Sequence, residues 1–351
     1  MNHMFYMQMA LKEAVKDHPR TWKNPKVGAV IVKDDQILAR GHHEIFGGPH
    51  AEVNAINHLA DEESAQGATM YVTLEPCSHT GKTPPCAKMI VETGITTVVI
   101  GEVDPNPLVS GKGIEYLESH HVKVIVLNTP LAANDAYRFY FRNHRPLITL
   151  KYAMTADGRI NFSNGQRSRL TGQEAFNDNQ DLRQNTQAIL VGMNTLKIDD
   201  PELTVRNGAI FSLIRIVVTH NVDEIKFSNK LFQTATKESP VWVMANQDPQ
   251  KTVPENVKII VKSGWTAANI SEYLADVGIQ SLLVEGGSQV LNQFVAEKQF
   301  NRIVTYVTPL LFGNQALPVL TGIGLQEPLK LSLASVETLA NDVKLVFERS
   351  N

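Results

Sequence analysis

The chain has 351 residues, 43% hydrophobic and 20% charged, with a formal net charge of −3. That length suits two domains. The acidic balance argues against a general nucleic-acid binder, and no apolar run approaches membrane-spanning length. The opening Met1-Asn2-His3-Met4 has neither a basic segment nor a long apolar one, so no signal peptide is expected. Met7, Ala10, Leu11 and Ala14 recur at helical spacing, which predicts an amphipathic helix over residues 4–17. Val27–Val32 is a β-rich run, Asp34-Asp35 a turn, and Gln36–Gly41 the returning strand of a hairpin. A helix from His50, a strand Met70–Leu74, a helix from Cys86 to about Thr93-Gly94, a strand Thr97–Ile100, a helix Gly113–His120 and a strand Val122–Leu127 follow. This order predicts a mixed sheet with helices on both faces.

Both cysteines of the chain, Cys77 and Cys86, fall near one histidine-led helix start, His50-Ala51-Glu52. A histidine and two thiolates are a borderline-soft donor set that suits Zn²⁺, and three protein ligands leave the fourth tetrahedral position open, as a catalytic zinc requires. Glu52, two residues beyond His50 on the first helical turn, reaches the same cavity without binding the metal. A carboxylate there can take a proton from a metal-activated water and return it to a leaving amine. Zinc deaminases acting on nucleotide bases use this arrangement. Here the cysteines are spaced Cys-x8-Cys, so Ser78–Pro85 is expected to loop over the pocket. Two cysteines committed to such a site imply a reducing, cytoplasmic setting.

Thr129–Asn143 reads as a connecting helix, aromatic on several sides. The second half alternates again. Strands are expected at Leu147–Tyr152, Ala188–Val191, Arg215–Thr219, Val241–Met244, Val257–Val261, Leu282–Val284, Arg302–Val307 and Val343–Phe347, with helices near Thr171–Asn185, Ala267–Val277 and Ser288–Ala296. That pattern is α/β. In Val284-Glu285-Gly286-Gly287-Ser288 a strand ends, two glycines permit close backbone approach and a helix begins, which makes an anion site fit for a dinucleotide pyrophosphate. The turn lacks Gly-x-Gly-x-x-Gly, so no Rossmann fold is expected.

Four stretches, Asn24–Val30, His50-Ala51-Glu52, Leu74–Cys86 and Asp104-Pro105-Asn106-Pro107, resemble the deaminase half of the bifunctional deaminase/reductase family of riboflavin biosynthesis. Leu150-Lys151-Tyr152-Ala153, Asp157-Gly158-Arg159, Asp199–Arg206 and Glu285-Gly286-Gly287 resemble its reductase half. The resemblance implies a cytidine-deaminase-like α/β/α domain over residues 1–145, then a dihydrofolate-reductase-like α/β domain over 146–351. It implies zinc on His50, Cys77 and Cys86 with Glu52 as the catalytic carboxylate. The pyrimidine would lie near Asn24, His42 and Glu52, with Lys82 and Thr83 on the ribose phosphate. In the second half it implies NADPH against Ala153, Thr195, Asp199 and the turn Gly287, Ser288, Gln289, Val290, Leu291, Asn292 and Gln293. Substrate would meet Lys151, Arg183, Leu203, Arg206 and Glu285, with Lys151 and Glu285 holding the ribosylamine and the arginines its phosphate.

The implied activity is deamination of a diaminopyrimidinone ribosyl phosphate followed by NADPH-dependent reduction of its ribosyl chain, in a cytoplasmic homo-oligomer that binds neither nucleic acid nor membrane. Where the family usually has Gly-x-Ser-x-Trp, this chain has Gly165-Gln166-Arg167-Ser168-Arg169. The expectation is that Arg167, on the substrate side, or Arg169, on the cofactor side, brings charge to a phosphate. Two other readings remain at this point: a zinc deaminase whose second domain only binds or assembles, and a nucleic-acid-editing deaminase.

Overall fold

The computed structural model describes residues 2–16, 21–61, 65–78, 84–162, 168–206, 213–322 and 324–350. Lys82, Thr83, Arg167 and most of the loop between the cysteines lie outside them. The chain separates into two compact units, Met1–His144 and Arg145–Asn351. Among the described residues no helix is long and apolar enough to cross a membrane.

The first unit is built on a five-stranded sheet in the order β2-β1-β3-β4-β5. Its strands are β1 (Gly28–Lys33), β2 (Gln36–His42), β3 (Thr69–Leu74), β4 (Thr97–Glu102) and β5 (Lys123–Val126). β1 runs antiparallel to β2 and β3, and β3, β4 and β5 are mutually parallel. Both faces are covered, which is why β1 reads as an unbroken apolar run. Val30 and Val32 pack with Tyr6, Met7 and Ala10 of α1 (His3–Ala14). Ala29 and Ile31 face α2 (Ala51–Asn57), α3 (Cys86–Glu92) and α4 (Lys112–Ser119) through Ala51, Ala55, Ala87, Ile90 and Leu117. α2 lies so close to β2 that a Cβ on Gly41 would sit 2.3 Å from the Ala55 backbone nitrogen. Only glycine allows that approach, and it fixes the level at which α2 begins. The expected connecting helix is a 3₁₀ turn, Ala132–Asn134, followed by α5 (Asp135–Asn143).

The second unit holds a nine-stranded sheet, β11-β10-β9-β8-β12-β6-β13-β16-β15. Seven parallel strands, β6 (Leu147–Thr155), β8 (Ala188–Gly192), β9 (Ile214–Val218), β10 (Val241–Ala245), β11 (Val257–Val261), β12 (Ser281–Val284) and β13 (Arg302–Thr308), are extended by antiparallel β16 (Asp342–Arg349) and β15 (Leu331–Leu339). β7 (Arg159–Asn161) and β14 (Leu317–Pro318) form a separate pair. The helices are α6 (Gln173–Gln184), α7 (Met193–Asp199), α8 (Lys230–Gln233), α9 (Ala267–Asp276) and α10 (Ser288–Ala296). Thr266 and Asn269 close a reciprocal cap at the start of α9. The sequence reading did not anticipate α7, α8, β7, β14 or β15.

Arg215 on β9 is fully enclosed. Its guanidinium donates to the carbonyls of Glu202 (3.0 Å), Leu231 (3.3 Å), Thr234 (2.8 Å) and Ser239 (2.6 Å) and to the Thr234 hydroxyl (2.7 Å). Burial lowers its pKa to about 10, which leaves it charged at neutral pH. It ties the loop after α7 and the α8 segment to the sheet. Arg215→Met strips the donor from several buried carbonyls at once and is expected to destabilise this unit by about 3 kcal/mol or more. A urea midpoint shift worth less than about 1 kcal/mol would contradict that account.

Candidate active sites

His50 is the N-cap of α2 and makes no side-chain capping bond, so its imidazole is not committed to its own helix. Its Nδ1 lies 3.6 Å from Cys77 Sγ and 3.3 Å from Cys86 Sγ. All three donor atoms fall within 4.8 Å of one another. Zn–S near 2.3 Å and Zn–N near 2.05 Å in a tetrahedron place nitrogen and sulfur ~3.5 Å apart. The side chains therefore already stand at the spacing zinc requires, and among the described residues no other His, Cys, Asp or Glu group clusters this way. Hydrogen bonding from Cys86 and pairing with His50 drive the Cys77 thiol down, while the same proton and burial hold Cys86 up. His50 is raised to about 9 by its bond to Cys77. Metal entry displaces these shared protons.

Glu52, on the first turn of α2, is buried at 3% exposure and hydrogen-bonds with the Cys86 thiol. Burial pushes its carboxyl up to about 7. The neighbouring Glu75 has a different task. Its two oxygens accept the N–H groups of Asp104 (3.3 Å), Gly111 (2.9 Å), Gly113 (2.9 Å) and Ile114 (3.3 Å), pinning the start of α4 to the Pro76-Cys77 turn. A Cβ on Gly113 would meet the Pro76 carbonyl at 1.9 Å, so that contact requires glycine.

The structure places Asn24 beside the metal-ligand cluster, but through His43 rather than His42. Asn24 Nδ2 lies 3.0 Å from His43 Nε2, His43 Nδ1 bonds the Pro49 carbonyl at 2.9 Å, and the His43 ring meets the His50 ring edge-on at 5.4 Å. His42 turns to α1, where its Nδ1 lies 3.3 Å from Glu13 Oε1. The sequence reading missed His43 because two adjacent histidines at a strand end differ only in which way each one points.

The second unit contains a cavity of about 880 Å³ at the carboxyl ends of β6, β8, β9, β10 and β12, where ligands bind in open α/β sheets. Lys151, Ala153, Arg169, Thr195, Asp199, Glu285, Gly287, Ser288, Gln289, Val290 and Gln293 line it, as do His220 and Asn246, which the sequence did not single out. Gly287 opens α10 and faces the Thr195 hydroxyl, with no room wasted on a Cβ. Free N–H groups there suit a pyrophosphate, so the walls fit a dinucleotide.

Five expectations are corrected here. Leu291 is fully buried on the core side of α10, because a helix shows a cavity only one face. Asn292 lies against Gly322 and does not line the cavity. Leu203 packs its side chain into the core beneath the cavity, at φ 56°, leaving only its main chain for any ligand. Arg183 does not point at a phosphate: its Nε and Nη2 donate to the two oxygens of Glu285 (2.8 and 2.9 Å) and its Nη1 to the Thr204 carbonyl (3.1 Å). Arg206 lies half-exposed, 3.2 Å from Glu202, outside the cavity wall.

Residues 1–102 match the cytidine and deoxycytidylate deaminase zinc-binding region, and residues 146–345 match the RibD C-terminal domain. The protein is thus a zinc-type deaminase joined to a reductase. The riboflavin biosynthesis protein RibD of Aquifex aeolicus is 38% identical over 352 aligned positions, 98% of each chain, and that of Escherichia coli is 32% identical over 93% of each. Among solved structures, Acinetobacter baumannii RibD superposes with a TM-score of 0.87 at 30% identity. A Thermotoga maritima diaminohydroxyphosphoribosylaminopyrimidine deaminase/5-amino-6-(5-phosphoribosylamino)uracil reductase superposes at 0.88 and 32%, and both matches cover 99% of each chain. The chain belongs to the RibD family, the bifunctional deaminase/reductases of riboflavin biosynthesis.

Proposed function

We propose that the chain deaminates 2,5-diamino-6-ribosylamino-4(3H)-pyrimidinone 5′-phosphate in its first unit and reduces the ribosylamino side chain to ribitylamino in its second. The observation that carries the first step is the convergence of His50, Cys77 and Cys86 at zinc-ligand spacing, with a buried Glu52 alongside. His50, Cys77 and Cys86 would hold zinc, which would lower the pKa of a bound water toward neutrality. Asn24, oriented by its bond to His43, holds the pyrimidine edge through its amide. Glu52 takes the water's proton and hands it to the departing ammonia, so the C2–N bond breaks as a C2–O bond forms.

In the second unit the cavity walls would hold NADPH, which would supply hydride to C1′ of the opened imine. Lys151, on the cavity floor, donates to the imine nitrogen that becomes the amine, and Glu285 keeps Lys151 in place at 3.9 Å. Arg183 anchors Glu285, and the site's remaining task is to bring the two reactants together. Metal analysis with separate assays of ammonia release and NADPH oxidation tests both halves. Zinc-loaded protein that releases ammonia yet oxidises no NADPH would reduce the second unit to a binding or assembly domain.

Arg169 projects at the cavity mouth and is exposed, and it supports a role for its charge on a phosphate of NADPH or of the substrate. Arg169→Ala is expected to raise the corresponding KM about tenfold, the size of one charge-assisted hydrogen bond. Unchanged KM values for both would remove that role.

We also propose a cytoplasmic homo-oligomer. Free thiols at Cys77 and Cys86 support a reducing compartment. The outermost strand β15 supports self-association: it is exposed along most of its length and presents Leu333 and Val336, each 58% exposed. Leu333→Lys is expected to shift the molar mass measured by light scattering toward the monomer. A wild-type protein that is already monomeric would refute this.

A further inference from the structure

Beneath the reductase cavity runs a chain of alternating charges that the proposed reaction does not by itself require. Glu285 is gripped by Arg183 on one side and lies 3.9 Å from Lys151 on the other. The Lys151 ammonium then stands over the face of Tyr306, 5.3 Å from the ring centroid. The Tyr306 hydroxyl donates to Asp178 at 2.5 Å, and Asp178 receives Lys344 at 2.6 Å. The register explains the convergence. Lys151 pairs with Val304 and Ala153 with Tyr306, so Lys151 and Tyr306 emerge on one face of β6 and β13, and Lys344 is the direct cross-strand neighbour of Tyr306 on β16. α6 covers this face and supplies Asp178 and Arg183.

We infer that Tyr306, locked by Asp178 and Lys344, is a positioning residue for the hydride-transfer step: its ring face fixes the Lys151 ammonium opposite Glu285. This rests on the reading of Lys151 as the residue that meets the imine nitrogen. A lysine side chain has four rotatable bonds and would otherwise sweep a wide arc. A carboxylate on one side and an aromatic face on the other confine the ammonium to one place. Donation of the phenol hydrogen to a carboxylate enriches the ring's electron density, which strengthens its hold on a cation. Burial keeps the phenol protonated, so this arrangement persists across the neutral range. Tyr306 is 1% exposed and does not line the cavity, so it acts through Lys151 and touches no substrate.

The test is a double-mutant cycle on the full-length protein, read by NADPH oxidation with the deaminated substrate, with ammonia release as the internal control. Lys151→Met alone establishes the underlying reading: if hydride transfer survives it, that reading fails and the Tyr306 inference falls with it. If Lys151→Met lowers transfer at least a hundredfold, Tyr306→Leu is expected to lower kcat about tenfold with the KM for NADPH within twofold. Tyr306→Phe, which keeps the ring, should restore most of that loss. In the Lys151→Met background Tyr306→Leu should change the residual rate less than twofold. A folded Tyr306→Leu protein with wild-type kcat overturns the inference, and so does a tenfold effect that persists without Lys151. Should Tyr306→Leu not fold, Tyr306→Phe and Asp178→Asn carry the test. Asp178→Asn should lower kcat two- to fivefold and Tyr306→Phe about twofold, each only when Lys151 is present, and an unchanged kcat in Asp178→Asn sinks the idea.

Discussion

Glu52→Gln is expected to lower the rate of ammonia release about a thousandfold, within the span of a lost general acid–base catalyst, while zinc content and NADPH oxidation stay at wild-type levels. Glutamine has nearly the same shape and can still hydrogen-bond the Cys86 thiol, so the ligand cluster should keep its spacing. What it cannot do is accept a proton and give it back. The group is poised for both halves of that exchange. Burial raises its carboxyl toward neutrality, where uptake and release are both easy, and a bound metal's positive charge draws it down again. The base form is needed to start the reaction, so wild-type deamination should fall about tenfold per pH unit below the pKa of Glu52 in the metal-bound enzyme, with an acid limb below 7. The residual activity of Glu52→Gln should lack that limb. Zinc-loaded Glu52→Gln protein that deaminates within tenfold of wild type would remove Glu52 from the mechanism. Loss of zinc from the variant would instead make it a structural neighbour of the metal. Chelation of the wild type should silence the same half and spare the other.

Much of this architecture is legible in the sequence because burial on defined faces leaves a periodic trace. The expected Val257–Val261 and Ser288–Ala296 coincide with β11 and α10, and the β1–β2 hairpin differs by a residue at its ends. β15 was not legible. A bulge between Leu333 and Ser335 breaks its alternation, and it lies at a sheet edge where neither face is deeply buried, so no two-residue period survives. The metal ligands were legible for a chemical reason: the only two cysteines and a helix-leading His-x-Glu leave few other partners. Arg183 was misread because its partner Glu285 is 102 residues away, and nothing local distinguishes an arginine that anchors a carboxylate from one that waits for a phosphate. His43 was missed for a related reason. Its value comes from Asn24 and His50 converging on it in space.

The same long-range pairing sets the second large effect. Lys151→Met should lower NADPH-dependent reduction at least a hundredfold, with ammonia release unchanged and NADPH affinity within a few-fold. Methionine keeps the length and apolar stem of lysine but presents no proton. Glu285 is then left facing the cavity with only Arg183 to balance it. Burial alone would push the Glu285 carboxyl up, but Arg183, and after it Lys151, outweigh that and bring it down to about 2. Its folded-state pKa lies below the ordinary carboxylate value near 4.5, so its contribution to stability is present above that value and is lost as the pH falls from there toward 2. Across the neutral range Glu285 is therefore a fixed negative charge. Any pH dependence of hydride transfer above about 5 must arise from groups other than Glu285. Lys151→Met should make acid unfolding only modestly less steep, since Arg183 remains bidentate on the carboxylate and still holds its pKa down. Arg183→Met should do far more, leaving a buried carboxylate with one distant partner, and about 3–5 kcal/mol of stability should go with it. If Lys151→Met reduces the deaminated substrate at wild-type rate, the proton for the new amine comes from elsewhere. If instead Arg183→Met is as stable as wild type, the arginine does not hold Glu285 in solution, and the cavity floor must be rebuilt around a different anchor.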